Sequence, residues 1–114
     1  MKLSTEKIGE VTVVTVLTEV LDASNAEEFK TATAPILKES NKVVFEISQI
    51  KFMDSSGCGT LLSFLRQLKS SNGNLKLCRV QEPVRILFEL VRIDRIIEIF
   101  DTKEEAIKSF KMGI

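Results

Sequence analysis

Two β-rich runs open the chain. Lys2 to Ile8 and Val11 to Leu17 are separated by Gly9-Glu10, a short turn signal, and the second run, Val-Thr-Val-Val-Thr-Val-Leu, is β-branched almost throughout. This pattern predicts a hairpin. After Leu21-Asp22, Ser24 or Asn25 can cap a helix in which Ala26, Phe29, Ala32 and Ile36 recur at helical spacing. Pro35 lies inside that stretch and predicts either a kink or an earlier end, because proline lacks the N–H that the helix ladder uses.

Lys42 to Ile47 is a short, mostly apolar run of the kind that lies centrally in a sheet covered by helices. Ser48 to Met53 reads as a loop. Beyond Asp54, the residues Cys58, Leu61, Leu62, Leu65 and Leu68 fall on one helical face, and Ser70-Ser71-Asn72-Gly73 ends that helix with residues tolerant of a left-handed backbone. Asn74 to Val80 restores strand alternation through Leu75, Leu77 and Val80. Pro83 suits the first turn of a short helix with Val84, Leu87, Phe88 and Val91 inward. Ile96 to Phe100 is a last strand, and Asp101 or Thr102 caps a final helix through Phe110.

Strands that alternate with helices point to an α/β fold. The expectation is one domain over residues 1–114, with a mostly parallel sheet of roughly four to five strands, an N-terminal antiparallel hairpin strand and about four helices. No internal repeat, linker or low-complexity stretch interrupts it.

Composition narrows the function. The chain carries 16 Lys+Arg against 16 Asp+Glu, a formal net charge of zero, and no basic run longer than a residue or two. That argues against the phosphate contacts of nucleic-acid binding and against a polybasic membrane patch. The sequence has no histidine, so Ser-His-Asp and Cys-His nucleophile pairs and His-containing metal sites are excluded, and its 2 cysteines cannot close a zinc site. No metal, cofactor or catalytic residue is expected. Cys58 and Cys78 stand in separate segments with apolar neighbours and read as buried, reduced thiols. The first ten residues lack the apolar stretch of a signal peptide, and no apolar run reaches the length of a membrane span, so a cytoplasmic protein without membrane insertion is expected.

The most unusual window is Phe52-Met53-Asp54-Ser55-Ser56-Gly57-Cys58-Gly59-Thr60. Glycine near the start of a helix costs about 1 kcal/mol against alanine, a penalty that some packing or access requirement must offset. The hydroxyls of Ser55 and Ser56 sit where the positive end of the helix dipole emerges, a position that suits an anion such as a phosphate on either serine. Two readings of the window stand side by side. Asp54, Ser55 and Ser56 are all good N-cap residues, and plain capping needs no function. A reactive or recognised hydroxyl is the other reading, at the carboxyl side of a sheet where open α/β folds tend to place their sites. The window has neither the lysine and spacing of a P-loop nor a Gly-x-Ser-x-Gly elbow. A receiver domain with Asp54 as phosphoryl acceptor would need an acidic pair after the first strand, where only Glu10 follows Lys7-Ile8-Gly9. An enzyme with Ser55 as nucleophile would need a base that no visible pair supplies.

The window Phe52 to Gly59, the Leu21-Asp22 pair and the element order across essentially the whole chain resemble a STAS domain of the bacterial anti-sigma factor antagonist family, whose distinctive motif is Asp-Ser-Ser-Gly followed by x-Gly. The resemblance implies a single STAS domain that acts as a phosphorylation-controlled switch. In that family the unphosphorylated antagonist binds an anti-sigma factor serine kinase and so frees a sigma factor. The kinase phosphorylates the serine directly after the motif aspartate, and a serine phosphatase reverses it. Carried over, the acceptor is Ser55, and the partner-binding positions are Asp22, Asp54, Ser56, Gly57 and Gly59. The implied protein is a cytoplasmic monomer or weak dimer whose chemistry is done by its partners. The alternative within the fold is a STAS module that binds partners in another regulatory, stressosome-like or lipid-transport complex. Two positions depart from the family pattern. Glu19 stands three residues before Asp22 in place of a common glycine, adding an acidic side chain near the binding face. Cys58 replaces a larger aliphatic residue between the motif glycines, loosening the packing under the acceptor helix.

Overall fold

The computed structural model describes residues 1–112. The predicted hairpin forms from β1 (Leu3–Ile8) and β2 (Val11–Val16), joined through Gly9 at φ +63°. The remaining strands are β3 (Val20–Leu21), β4 (Lys42–Glu46), β5 (Phe52–Met53), β6 (Asn74–Cys78) and β7 (Glu98–Phe100). The helices are α1 (Ala26–Glu39), α2 (Ser55–Lys69), α3 (Glu82–Leu90) and α4 (Lys103–Met112), with a 3-10 turn at Ile93–Arg95. The main sheet has five strands in the order β1-β2-β4-β6-β7, with only β1 antiparallel to its neighbour.

That order fixes the layers. From β2 through β4 and β6 to β7 each crossover steps the same way, so right-handed connections place α1, α2 and α3 on one face. The core there joins Val14, Val43, Phe45, Leu75 and Leu77 of the sheet to Phe29, Leu61, Phe64, Leu68, Val84 and Phe88 of those helices. The rings of Phe29, Phe45 and Phe64 meet at centroid separations of 5.2–5.8 Å. The final helix α4 closes the opposite face, where Ala106 and Ile107 cover Val11, Val13, Val44 and Cys78.

Five expectations change. Pro35 does not end α1, which continues to Glu39; the proline is exposed there, and the helix is held by Phe29, Thr33 and Leu37 below it. The buried stripe of α1 is therefore Ala26, Phe29, Thr33 and Leu37, with Ala32 and Ile36 half-buried. The segment Ser48 to Met53 is not wholly loop, because Phe52–Met53 pairs in parallel with Val20–Leu21 as a separate two-stranded sheet. At the other end, the strand expected from Ile96 begins only at Glu98. Ile96 closes the 3-10 turn and is exposed, as is Val91 at the end of α3.

Candidate functional site

The small sheet builds the site. Parallel register sets Leu21 opposite Met53, so the residues that follow, Asp22 and Asp54, leave neighbouring strands side by side at the start of two turns into helices. The backbone N–H of Asp54 donates to the Leu21 carbonyl at 3.3 Å, which fastens the two turns together. Each aspartate then organises its own turn. Asp22 Oδ1 accepts from the Ser24 N–H at 2.9 Å and the Ser24 hydroxyl at 2.6 Å. Asn25 does not cap α1 with its side chain; its Oδ1 accepts from the Asp22 N–H and its Nδ2 donates to the Val20 carbonyl.

Asp54 is the N-cap of α2. Its Oδ1 accepts from the N–H groups of Ser56 at 2.9 Å and Gly57 at 3.3 Å, while Oδ2 receives a longer contact of 3.4 Å from the Ala23 N–H. One carboxylate thus satisfies two orphan donors of α2 and reaches across to the turn before α1. This division of labour separates the two readings of the Asp-Ser-Ser window: Asp54 does the capping. Ser55, the first residue of α2, is exposed, and its hydroxyl forms no hydrogen bond among the described residues.

The two motif glycines differ in role. Gly57 is buried, and a Cβ there would lie 2.6 Å from Met53 Cγ and 3.0 Å from the Leu21 carbonyl oxygen. It lets α2 lie directly on the small sheet, serving the site through packing from beneath its surface. Gly59 is exposed with nothing within 4 Å of a Cβ, so no contact inside the domain requires it. Ser55 and Gly59 are four residues apart and share one exposed face of α2. Ser56 is half-buried beside them.

The departing positions also find places. Glu19 is exposed and pairs with Lys51 Nζ at 3.4 Å, and its carbonyl accepts from the N–H groups of Lys51 and Phe52. Cys58 is buried, with Sγ 4.0 Å from Met53 Sδ. Burial, followed by the nearby Asp54 charge, pushes its thiol up to about 11. Cys78 is buried on the other face of the sheet and is pushed up to about 12, again mainly by burial. Both are free thiols held protonated at neutral pH.

Sequence reasoning missed Val20 and Phe52. They are register partners in the small sheet, 40% and 55% exposed, and so form an apolar step beside the motif. Two-residue strands are too short to show an alternation.

A STAS domain model matches residues 2–106. The chain belongs to the STAS domain family. Among curated STAS relatives, BtrV of Bordetella bronchiseptica, named as a candidate anti-sigma factor antagonist, is 28% identical over 115 residues, spanning 100% of this chain and 98% of its own. The anti-sigma-B factor antagonist of Listeria monocytogenes is 27% identical over 97 residues, covering 77% of this chain and 85% of its own. A crystal structure of a candidate anti-sigma factor antagonist from Thermotoga maritima superposes with a TM-score of 0.84 at 26% identity, covering 94% of this chain and 92% of that one. Among the described residues, no helix is long and apolar enough to cross a membrane.

Proposed function

We propose that this STAS domain is an anti-sigma factor antagonist of the cytoplasm and not an enzyme. In its unphosphorylated form it binds an anti-sigma factor serine kinase, which frees a sigma factor; the kinase phosphorylates Ser55 and ends the interaction, and a serine phosphatase restores it. The observation that carries this reading is the free hydroxyl of Ser55, exposed at the first position of α2 beside the paired turns of Asp22 and Asp54.

The switch follows from charge. A phosphate adds about −1.5 to −2 charges at neutral pH. From a formal net charge of zero the domain goes to about −2. The N–H groups of Ser56 and Gly57, which would otherwise receive a phosphate, are already taken by Asp54 Oδ1. The new charge therefore remains on the surface, next to the Asp54 carboxylate, and meets any docked partner as like-charge repulsion and bulk. No refolding is required.

The test is incubation with ATP and an anti-sigma factor serine kinase, with intact mass measured for wild type, Ser55→Ala and Ser56→Ala. One added phosphate on wild type and Ser56→Ala, and none on Ser55→Ala, is expected. Equal phosphorylation of Ser55→Ala would refute the assignment.

A further inference from the structure

The end of the domain away from Ser55 holds a second polar feature. The 15 residues of α2 carry its last turn about 20 Å from the motif. There a cavity of about 480 Å3 opens between that turn, the first residues of β4, β6 and β7, and α4. Its walls include Lys42, Lys69, Lys76, Asn74, Glu98 and Phe110.

Lys76 is the anomaly. It occupies the middle of β6, an interior strand between β4 and β7, and its side chain is only 6% exposed, where a lysine is rarely buried unless paired. Its Nζ donates to Ser109 Oγ at 2.7 Å, lies 3.2 Å from Glu98 Oε1, and sits 4.4 Å and 5.7 Å from the ring centroids of Phe110 and Phe100. An ammonium has three N–H groups. Ser109 accepts one, the Glu98 carboxylate lies at ion-pair distance, and no further oxygen acceptor is in reach among the described residues.

A purely structural Lys76–Glu98 pair would not explain why two further cations share the walls. Lys69 has no carboxylate within ion-pair distance among the described residues. Lys42 has only Glu10, at 3.6 Å and largely exposed outside the cavity. In a chain of zero net charge, the walls hold three lysines against one carboxylate. The last carbonyls of α2 do not offset this, because those of Leu68 and Lys69 accept from the N–H groups of Ser71, Asn72 and Gly73. Asn74 Oδ1 accepts from the Leu75 N–H, which leaves its amide NH2 as a neutral donor.

We propose that this cavity binds a small phosphate-class dianion, free or as the end of a phosphate ester, through Lys42, Lys69 and Lys76. The site is independent of Ser55 and of the partner-switching reading. The experiment is a titration of the full chain at low ionic strength with inorganic phosphate and, separately, glycerol 3-phosphate, followed by amide 1H–15N correlation spectra. Sodium chloride at matched ionic strength is the control. Saturable shifts at Asn72, Asn74, Lys76 and Ser109, absent with chloride and absent at Ser55, are expected with at least one probe, and the tighter probe identifies the source. Lys69→Gln, an exposed change, weakens binding roughly two- to fivefold, and Glu98→Gln, which removes the wall carboxylate, tightens it by a similar factor. Lys76→Met is not used, because losing a core cation mixes folding with binding. The proposal is overturned if neither probe gives a saturable shift in wild type. It is equally overturned if the shifts match those of chloride, or if neither Lys69→Gln nor Glu98→Gln changes the affinity.

Discussion

Alanine at Gly57 and at Gly59 should change stability in opposite directions, although the two positions are separated by one residue of the same helix. In either place alanine gains about 0.5–1 kcal/mol of helix propensity over glycine. At Gly59 nothing lies within 4 Å of the new Cβ, so the whole gain is kept. Unfolding entropy of about 2.1 cal/mol/K per residue gives roughly 0.24 kcal/mol/K for this chain, so Gly59→Ala raises Tm by about 2–4 °C. At Gly57 the Cβ would lie 2.6 Å from Met53 Cγ and 3.0 Å from the Leu21 carbonyl oxygen. Met53 is buried and has little room to turn, and the Leu21 carbonyl is held by the Asp54 N–H. Overpacking costs about 1–3 kcal/mol, and an approach of 2.6 Å puts this site in the upper half of that range, about 2–3 kcal/mol; less the propensity gain, the net loss is about 1–2.5 kcal/mol, or a fall in Tm of about 4–10 °C. Calorimetric melts of wild type and both variants in one buffer decide it. Equal stabilisation by both substitutions would show that α2 does not sit tightly on the small sheet, and destabilisation by Gly59→Ala would show that its exposed face is engaged within the domain.

Further outcomes follow from the same structure. Asp54→Ala removes the cap shared by Ser56 and Gly57 and should cost about 1–2 kcal/mol in urea unfolding, whereas Asp54→Asn, a comparable cap, should lose only the charge contribution of about 0.3–1 kcal/mol. Pro35→Ala restores a ladder hydrogen bond at an exposed position inside α1 and should raise stability by about 1–2 kcal/mol, read as a higher urea midpoint at unchanged slope. The folded thiols of Cys58 and Cys78 ionise near 11 and 12 against an ordinary value of 9.0. Above pH 9 the unfolded chain therefore binds fewer protons than the folded one, and stability present below that pH is lost as pH rises toward the folded values. Urea midpoints between pH 8 and pH 10.5 should fall more steeply for wild type than for the Cys58→Ala, Cys78→Ala double variant; parallel curves would place the loss elsewhere.

Much of the architecture was legible because the periodicities are long and bounded. The β-branched run at Val11 reads as a hairpin strand and the apolar run at Val43 as a central strand, and the Leu61-Leu65-Leu68 spacing marks α2. What escaped was short or decided by tertiary context. The β3–β5 pair involves two residues on each side, and its existence depends on chain segments 32 positions apart coming into register. Pro35 has a local preference that argues against a helix, but burial of Phe29 and Leu37 on the other side of α1 outweighs it. At the site, the residue types were visible and their division of labour was not. Asp54, Ser55 and Ser56 have similar capping preferences, and only the geometry shows that the aspartate takes the amides while the first serine is left free. The lysine cavity left no signal, since Lys42, Lys69 and Lys76 come from three separate elements.

The capping arrangement also bears on the proposed phosphorylation switch, because it decides where a phosphate on Ser55 would lie. Were the Ser56 and Gly57 amides of α2 free, a phosphate on Ser55 would be drawn against the helix end, where the dipole would absorb part of its charge. Asp54 weakens this pull by occupying those two N–H groups first. It can hold that position because the β3–β5 pairing fixes its backbone to Leu21, and because Gly57 has no Cβ to push α2 away from Met53. Displacing Asp54 would release its cap bonds and its contact with the Ala23 N–H, so the less costly response to phosphorylation is to leave the carboxylate in place and carry both charges at the surface. In the proposed switch, the same residues that make α2 a stable helix would thus keep an added phosphate at its surface, on the side a docked partner would face.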